Sequence, residues 1–179
     1  EYVPWYIKNS QPELIDQFQI PIDDYIYRCE SQNESWTNHA ENLTHESSLK
    51  ISASDEYVSQ IIKSVVANKK IQINGNVINN GAINNLPNDC CVEIPCDIDK
   101  SGIVSQNIGN LPVQLAALIS TNVNVQQLTV EAALNHRKEH VYHAAMLDPH
   151  TASELSINQI YNMVDELIEV HGDMIPRLS

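Results

Sequence analysis

The feature that most constrains the fold of this sequence is a change, near its middle, in the spacing at which apolar residues recur. Residues 70–79 alternate apolar and polar side chains, which is typical of a half-buried strand. Residues 91–98 and 103–104 predict two further strands, separated by the turn sequence DKSG at 99–102. From residue 111 onward apolar residues recur at helical spacing. Short strands followed by helices predict an α+β fold, in which helices pack on a small, mostly antiparallel sheet.

Helical spacing also precedes the strands. It is interrupted near Pro12 within residues 1–19, and it fades into polar sequence after residues 22–29. The stretch 30–54 is the weakest for structure, and an exposed helix end with a loop is the interpretation it allows. Ser54 and the acids after it predict the start of a helix over residues 57–66. Inside the first strand, the pair Asn74-Gly75 is a hairpin-turn signal.

The carboxy-terminal half predicts a long helix that opens at Leu111-Pro112 and continues through residues 141–146. Asp148-Pro149 interrupts the chain, and a last helix over 155–170 stops at Gly172. One face of the long helix is predicted to be apolar, with Leu115, Leu118, Ile119, Val125, Leu128 and Ala132.

The length of the chain and its net charge limit the number of domains and the classes of partner that it can bind. A chain of 179 residues suggests a single domain, 1–179. Its net charge of -13 opposes binding to nucleic acid and to anionic membranes, because both carry negative phosphate groups. The cysteines at 29, 90, 91 and 96 are spaced like free thiols of a reducing, cytoplasmic compartment rather than a disulfide framework.

Residues 136–140, HRKEH, match the H-x-x-E-H pattern of inverted zinc peptidases. With His143 they would place three imidazoles on one helix face. The alternative is a solvated helix end, and it is the stronger interpretation because Arg137 and Lys138 stand beside the supposed cation site. The sequence therefore predicts no metal ligand in this chain.

An amide-rich run, VINNGAINNLP at 77–87, lies between two predicted strands. Its side chains donate and accept hydrogen bonds, as sugar hydroxyls require. Asn and Gly also favour turns, because they tolerate a left-handed backbone. The residues alone leave both interpretations open.

The chain opens with EYVPWY at 1–6, without an initiating Met, which indicates an excised piece of a longer protein. Tyr2 and Tyr6 are poor bases in water, since the pKa of tyrosine is about 10. A neighbouring cation lowers that pKa, but from the residues alone helix packing is the favoured explanation of these aromatic side chains. The sequence holds no glycine-rich phosphate loop.

Several blocks resemble glycoside hydrolase family 4, and within it the bacterial α-galactosidases that act on melibiose. The blocks are EYVPWY at 1–6, YVSQII at 57–62, NVINNG at 76–81 with NLP at 85–87, CVEIP at 91–95, LP-QLAAL at 111–118, TNVNVQ at 121–126 and YHAAMLDP at 142–149. They span nearly the whole chain.

The resemblance implies a carboxy-terminal domain like that of lactate and malate dehydrogenases. The amino-terminal dinucleotide-binding Rossmann domain and the Cys and His that hold manganese would lie outside this chain. NAD and manganese are thus expected in the full-length enzyme, with no cofactor-binding residue here. The expected substrate is an α-galactoside, and the enzyme is expected to assemble into a homo-oligomer.

The chemistry that the resemblance implies is oxidation, elimination, addition and reduction, which sets this family apart from the two-carboxylate glycosidases. A tyrosine removes the proton from the second carbon of the sugar. Tyr2 is the expected catalytic base and Tyr6 the second choice, while Asn79, Asn80 and Gly81 are expected to bind the substrate. The alternatives are an α-galacturonide or 6-phosphoglycoside substrate, or a non-catalytic acidic binding or assembly module.

Overall fold

The computed structural model describes residues 4–45 and 56–179, with the side chains of 41–45 excepted. The chain divides into two compact units: the residues up to Gln11 together with Tyr57–Ser179, and Pro12–Glu56. No helix of the described part is long and apolar enough to cross a membrane.

The unit Pro12–Glu56 contains helices α1, Glu13–Gln17, and α2, Asp24–His45. Helix α2 continues through the polar stretch from residue 30 as far as His45, which confirms the interpretation of this stretch as a helix end. Local contacts support a polar helix. The guanidinium of Arg28 lies 2.5 Å from Asp24 one turn earlier, and the hydroxyl of Ser35 donates to the carbonyl of Ser31 at 2.9 Å.

The larger unit is built on a three-stranded antiparallel sheet in the order β1-β2-β3. Its strands are β1, Ile71–Ile78; β2, Cys91–Asp99; and β3, Gly102–Ser105. Ile71 pairs with Ile98 and Ile78 with Cys91, so the whole of β1 lies along β2. The carboxylate of Asp99 closes the β2–β3 turn by accepting from the backbone N–H of Ser101 at 2.7 Å. The predicted strands and the α+β class are confirmed.

The hairpin expected at Asn74-Gly75 is wrong. Both residues lie inside β1, opposite Pro95 and Ile94 of β2. A methyl group on Gly75 would stand 3.5 Å from the sulfur of Cys96, an ordinary packing distance. Pairing along the full strand outweighs the local turn preference of the dipeptide.

Helix α3, Val58–Ala67, packs against β1 and β2. It follows Tyr57, which makes no side-chain cap, and it ends at Asn68 in a left-handed conformation with φ of 52°. The start expected at Ser54 lies outside the described residues. Burial of Ser64, which is 1% exposed, marks the face of α3 that contacts the sheet.

Helix α4, Val113–Asn135, stops at His136, whose φ of 55° is left-handed. Helix α5, Lys138–Leu147, is separate, so the predicted continuation of one helix through residues 141–146 is wrong. The buried face of α4 is Ala116, Val123 and Ala132. Leu115 and Ile119, predicted to lie on the buried face, are 46% and 40% exposed.

The chain ends in helices α6, Pro149–Glu154, and α7, Ile157–His171, followed by a short 3₁₀ turn at Gly172–Met174. Asp148 caps α6 by accepting from the N–H of Thr151 at 2.7 Å. Ser156 and Gln159 form a capping box at the start of α7. The predicted last helix and its stop at Gly172 are confirmed.

The hydrophobic core lies between one face of the sheet, helix α4 and the loop that joins β1 to β2. Its buried members are Ala82, Ile83, Leu86, Cys90, Val92, Ile94, Cys96, Ala116 and Val123. The amide-rich loop is therefore a wall of the core, and its conformation is fixed by the packing beneath it.

Candidate functional site

The side chain of Asn79 holds the β1–β2 loop together. Its amide nitrogen lies 2.9 Å from the carbonyl of Ile83, 3.2 Å from that of Leu86 and 2.9 Å from that of Pro87. Its oxygen accepts from the N–H of Ile83 at 2.7 Å. Asn79 is only 1% exposed. These bonds occupy the amide, so Asn79 shapes the loop from within and does not present its side chain to a ligand.

A second asparagine joins this loop to the chain before α4. The side chain of Asn85 donates to the carbonyl of Leu111 at 2.8 Å and accepts from its N–H at 2.9 Å. The backbone N–H of Asn84 adds a bond to the carbonyl of Gly109 at 2.9 Å. The side-chain amides of Asn79 and Asn85 thus bind backbone groups of the protein itself.

Asn80 and Gly81 form the outer corner of the loop. Their φ angles are 44° and 83°, both left-handed, a conformation that suits asparagine and glycine. Asn80 is exposed, and its N–H donates to the carbonyl of Asn88 at 2.8 Å. The backbone places the amide side chain of Asn80 at the surface, available to hydroxyl groups.

An open cleft of ≈ 630 Å³ lies between the paired ends of β1 and β2 and helix α4, and Ile78, two residues before Asn80, is one of its lining residues. Its apolar lining comes from Ile78, Val123 and Val130. Its polar lining comes from Asp89, Cys90, Cys91, Gln126, Gln127 and Glu131. Aliphatic walls with a few amide and carboxylate groups suit a small polar ligand.

One hydrogen bond spans the cleft. The amide nitrogen of Gln127 on α4 donates to Asp89 at 3.0 Å, although the two residues are 38 positions apart. Asp89 and Glu131 give the lining negative charge, and no lysine or arginine is among the described residues that line it. Such a cleft favours uncharged hydroxyl-rich molecules and repels phosphate.

The four cysteines are free thiols, as predicted. Burial raises the pKa of Cys90 above its ordinary value, and the charge of Asp89 adds to the effect. Cys91 is exposed and Cys96 is buried. The raised pKa keeps the thiol of Cys90 protonated, and its burial makes Cys90 a packing residue at the base of the cleft.

The H-x-x-E-H pattern does not form a metal site. His136 ends α4, whereas His140 and His143 belong to α5, with ring centroids 6.3 Å apart. Because the helix is interrupted, the three imidazoles do not share one helix face. Within residues 4–45 and 56–179, no three His, Cys, Asp or Glu side chains come together to hold a metal ion.

Of the two candidate bases, Tyr2 lies outside the described residues. Tyr6 is 42% exposed and belongs to the larger unit. Just beyond it, Lys8 and Asn9 contact helix α6. The ammonium group of Lys8 lies 3.1 Å from the carboxylate of Glu154, which also accepts from the N–H of Asn9 at 3.0 Å.

Comparison with known proteins decides the family. Residues 1–151 match the model of the family 4 glycosyl hydrolase C-terminal domain. The chain belongs to glycoside hydrolase family 4. This bears out the resemblance read from its sequence blocks.

Curated members of family 4 include two similar α-galactosidases. The one from Bacillus subtilis (strain 168) is 46% identical over 98% of this chain, which spans 41% of that protein. The one from Rhizobium meliloti (strain 1021) is 29% identical over 100% of this chain, which spans 38% of it. The chain therefore covers about two fifths of the length of these relatives, and it corresponds to the carboxy-terminal part of the Bacillus enzyme.

A solved structure supports the fold. A 6-phospho-α-glucosidase from gut microorganisms, in complex with NAD and Mn²⁺, superimposes with a TM-score of 0.72 at 22% identity. The match covers 83% of this chain and 34% of that one. Helices on a small antiparallel sheet are thus a form that this chain shares with other family 4 glycosidases.

The sequence did not reveal the cleft residues of α4 or the role of Glu154. Gln126, Gln127 and Glu131 lie on a helix whose pattern predicted only its buried face. Glu154 lies 145 residues from Asn9, and no local motif connects them. These positions follow from tertiary packing and carry no signal in a single sequence.

Proposed function

We propose that this chain is the carboxy-terminal, sugar-side part of an α-galactosidase that requires NAD and manganese and hydrolyses α-galactosides such as melibiose. The supporting observation is the 46% identity to a curated α-galactosidase across 98% of this chain. The parent enzyme would carry its dinucleotide-binding domain on the amino-terminal side.

In this proposal the galactoside binds at the corner of the β1–β2 loop and in the cleft beside it. Asn80 offers an exposed amide, and Gly81 lets the backbone approach the ligand closely because it has no side chain. Asn79 contributes indirectly by holding the loop. Gln126 and Asp89 add hydrogen-bonding groups, and Ile78 adds an apolar surface for the carbon face of the sugar.

The metal and the cofactor belong to the rest of the parent enzyme. The described residues form no metal site of their own, and the chain has no glycine-rich dinucleotide loop. When bound, NAD supplies the oxidation and reduction steps and manganese acts as a Lewis acid. The part of this chain is to bind the sugar, orient it and remove a proton from its second carbon, with Tyr2 as the base and Tyr6 as the second candidate.

Two related substrates are alternatives, because family 4 includes enzymes for 6-phosphoglycosides and α-galacturonides. Both carry a negative charge. The carboxylates of Asp89 and Glu131 in the cleft disfavour such ligands. We therefore rank the uncharged α-galactoside first.

Further properties of the parent follow from the same proposal. Exposed apolar residues on α4 outside the cleft, including Val113 and Leu134, suit a surface for self-association into a homo-oligomer. Light scattering of the purified parent measures this directly. The dependence on NAD and the free thiols fit an enzyme of the cytoplasm.

The test uses the full-length parent enzyme, purified and freed of metal and cofactor. We expect galactose release from melibiose only when NAD, Mn²⁺ and a reductant are all added back, and at least about tenfold lower kcat/KM for the 6-phosphorylated disaccharide. Turnover without NAD would contradict the mechanism. A preference for the phosphorylated sugar would contradict the assigned substrate.

A further inference from the structure

Glu154 fixes the amino-terminal segment of the larger unit to helix α6. One oxygen of its carboxylate lies 3.1 Å from the ammonium group of Lys8, and the other accepts from the backbone N–H of Asn9 at 3.0 Å. Two successive residues of the segment therefore bind one side chain that is 145 positions away from Asn9 in the sequence. The pair of contacts restrains both the position and the direction of the segment.

This ion pair is the least exposed one among the described residues. The side chains of Lys8 and Glu154 are 24% and 12% exposed. In every other ion pair of the described residues, at least one side chain is exposed by half or more, as in the pair of Arg28 and Asp24 at 75% and 34%. Limited solvent access strengthens the attraction and holds the two side chains in one arrangement.

The segment bound by Glu154 closely follows Tyr6, one of the two candidate bases. Residues 7 and 8 belong to no helix or strand, so regular backbone hydrogen bonding does not set their course. Tyr6 stands two residues before Lys8, and Tyr2 stands six before it. The contacts to Glu154 thus restrain the chain two and three residues after Tyr6.

We propose that Glu154 is a positioning residue of the active site. By binding Lys8 and Asn9, it fixes the position of the segment from which the catalytic tyrosine reaches the sugar. This inference rests on the proposed function. A misplacement of about 1 Å costs on the order of 100-fold in rate when it affects a reacting group. Loss of Glu154 therefore slows proton removal without weakening sugar binding to the same extent.

The experiment uses the full-length parent enzyme with Glu154→Ala, Glu154→Gln and Lys8→Ala, and with Glu166→Gln as the matched control on an exposed acid of α7. The measured quantities are kcat, KM, the amount of bound NAD and the rate at which the proton on the second carbon of the sugar exchanges with deuterated water. Exchange per NAD-bound enzyme separates misplacement of the base from loss of folded protein.

We expect Glu154→Ala to lower kcat and the exchange rate together by about 10- to 100-fold, with KM changed less than about threefold and NAD binding retained. Glu154→Gln keeps an oxygen for the N–H of Asn9 and recovers part of the rate, and Lys8→Ala falls between the two. The control matches wild type. Should Glu154→Ala fail to fold, Glu154→Gln and Lys8→Ala decide the matter by the same readouts.

Exchange and kcat within about twofold of wild type in the folded variants would overturn the proposal. So would a loss of rate that merely follows the loss of NAD-bound enzyme. An inactive wild-type parent is a different result, because it contradicts the proposed function rather than the role of Glu154.

Discussion

The hydroxyl of Ser64 on α3 donates to the backbone carbonyl of Ile98 on β2 at 2.7 Å, and both residues are 1% exposed. This bond attaches the only fully buried position of α3 to the central strand of the sheet. It shows how a polar side chain can serve as a core contact when its partner is a strand carbonyl.

Replacing this serine tests the attachment. Ser64→Ala leaves a buried carbonyl with one partner fewer, so we expect the free energy of unfolding to fall by about 1–2 kcal/mol. Ser59→Ala, at an exposed position of the same helix, is the control and should change it by less than about 0.5 kcal/mol. Urea unfolding monitored by circular dichroism measures both. Equal effects of the two substitutions would show that the bond to Ile98 adds nothing.

Substitutions of Asn79 and Asn80 are predicted to have different effects: the first should lower stability and the second should weaken sugar binding. Asn79→Ala removes the partner of buried groups in the loop, and we expect a loss of at least about 3 kcal/mol in unfolding free energy. Asn80→Gly removes an exposed amide while keeping the left-handed backbone, so it should leave stability within about 0.5 kcal/mol. In the parent enzyme it should raise KM for melibiose several-fold. An unchanged KM would remove Asn80 from the sugar site.

Two glycines of the same region should respond oppositely to alanine. Gly75 has no positive φ, and a methyl group there meets Cys96 at an ordinary 3.5 Å. We expect Gly75→Ala to stabilise the fold by about 0.5–1 kcal/mol, because alanine loses less backbone entropy in a strand. Gly81→Ala places a side chain at φ of 83° and should cost about 1 kcal/mol or more. Thermal unfolding compares the two, and destabilisation by Gly75→Ala would contradict the strand assignment.

These glycines also show what the sequence could and could not predict. Alternation predicted β1 because every second side chain of this strand is half-buried and the others are exposed. The turn signal at Asn74-Gly75 was wrong, since the dipeptide preference is weaker than a full register of strand pairing. The break at His136 was also missed, because a left-handed histidine gives none of the signals of proline or glycine.

The composition of the sequence identified the amide-rich loop as a candidate site. It did not show which asparagines of the loop are structural and which are exposed. Only the three-dimensional fold shows that Asn79 is directed into the loop and Asn80 outward. The contacts Gln127–Asp89 and Glu154–Asn9 join residues far apart in sequence. A single sequence holds no periodic or local signal for such pairs.

The charged cluster at the sheet edge predicts a pH dependence. A hydrogen bond from Lys70 at 2.7 Å lowers the pKa of Asp97, with Gln72 and Gln106 assisting, and Asp97 in turn raises the pKa of Lys70. Because the pKa of Asp97 is lower in the folded state, its carboxylate stabilises the fold at pH values above the unfolded pKa of 3.8. This stabilisation is lost as the pH falls through the folded pKa. The contribution from Lys70 is present at neutral pH and is lost only as pH rises through its raised pKa.

Accordingly, Lys70→Met should lower the urea midpoint at pH 7, and the gap to wild type should narrow as the pH falls below the unfolded value of 3.8 and through the lowered pKa of folded Asp97. Lys69→Met, which removes a neighbouring cation, serves as the control and should show a smaller gap at pH 7. A gap that stays constant from pH 7 to pH 3 would mean that the pairing with Asp97 does not stabilise the fold.

The most direct measurement of the central claim is hydrogen exchange at the second carbon of the sugar, followed by NMR in deuterated water with the full-length enzyme carrying Tyr2→Phe or Tyr6→Phe. The account predicts that Tyr2→Phe lowers this exchange at least about 100-fold, in the range typical of a lost general base, while NAD remains bound and Tyr6→Phe has a smaller effect. Exchange at the wild-type rate in both variants would show that no tyrosine of this segment removes the proton.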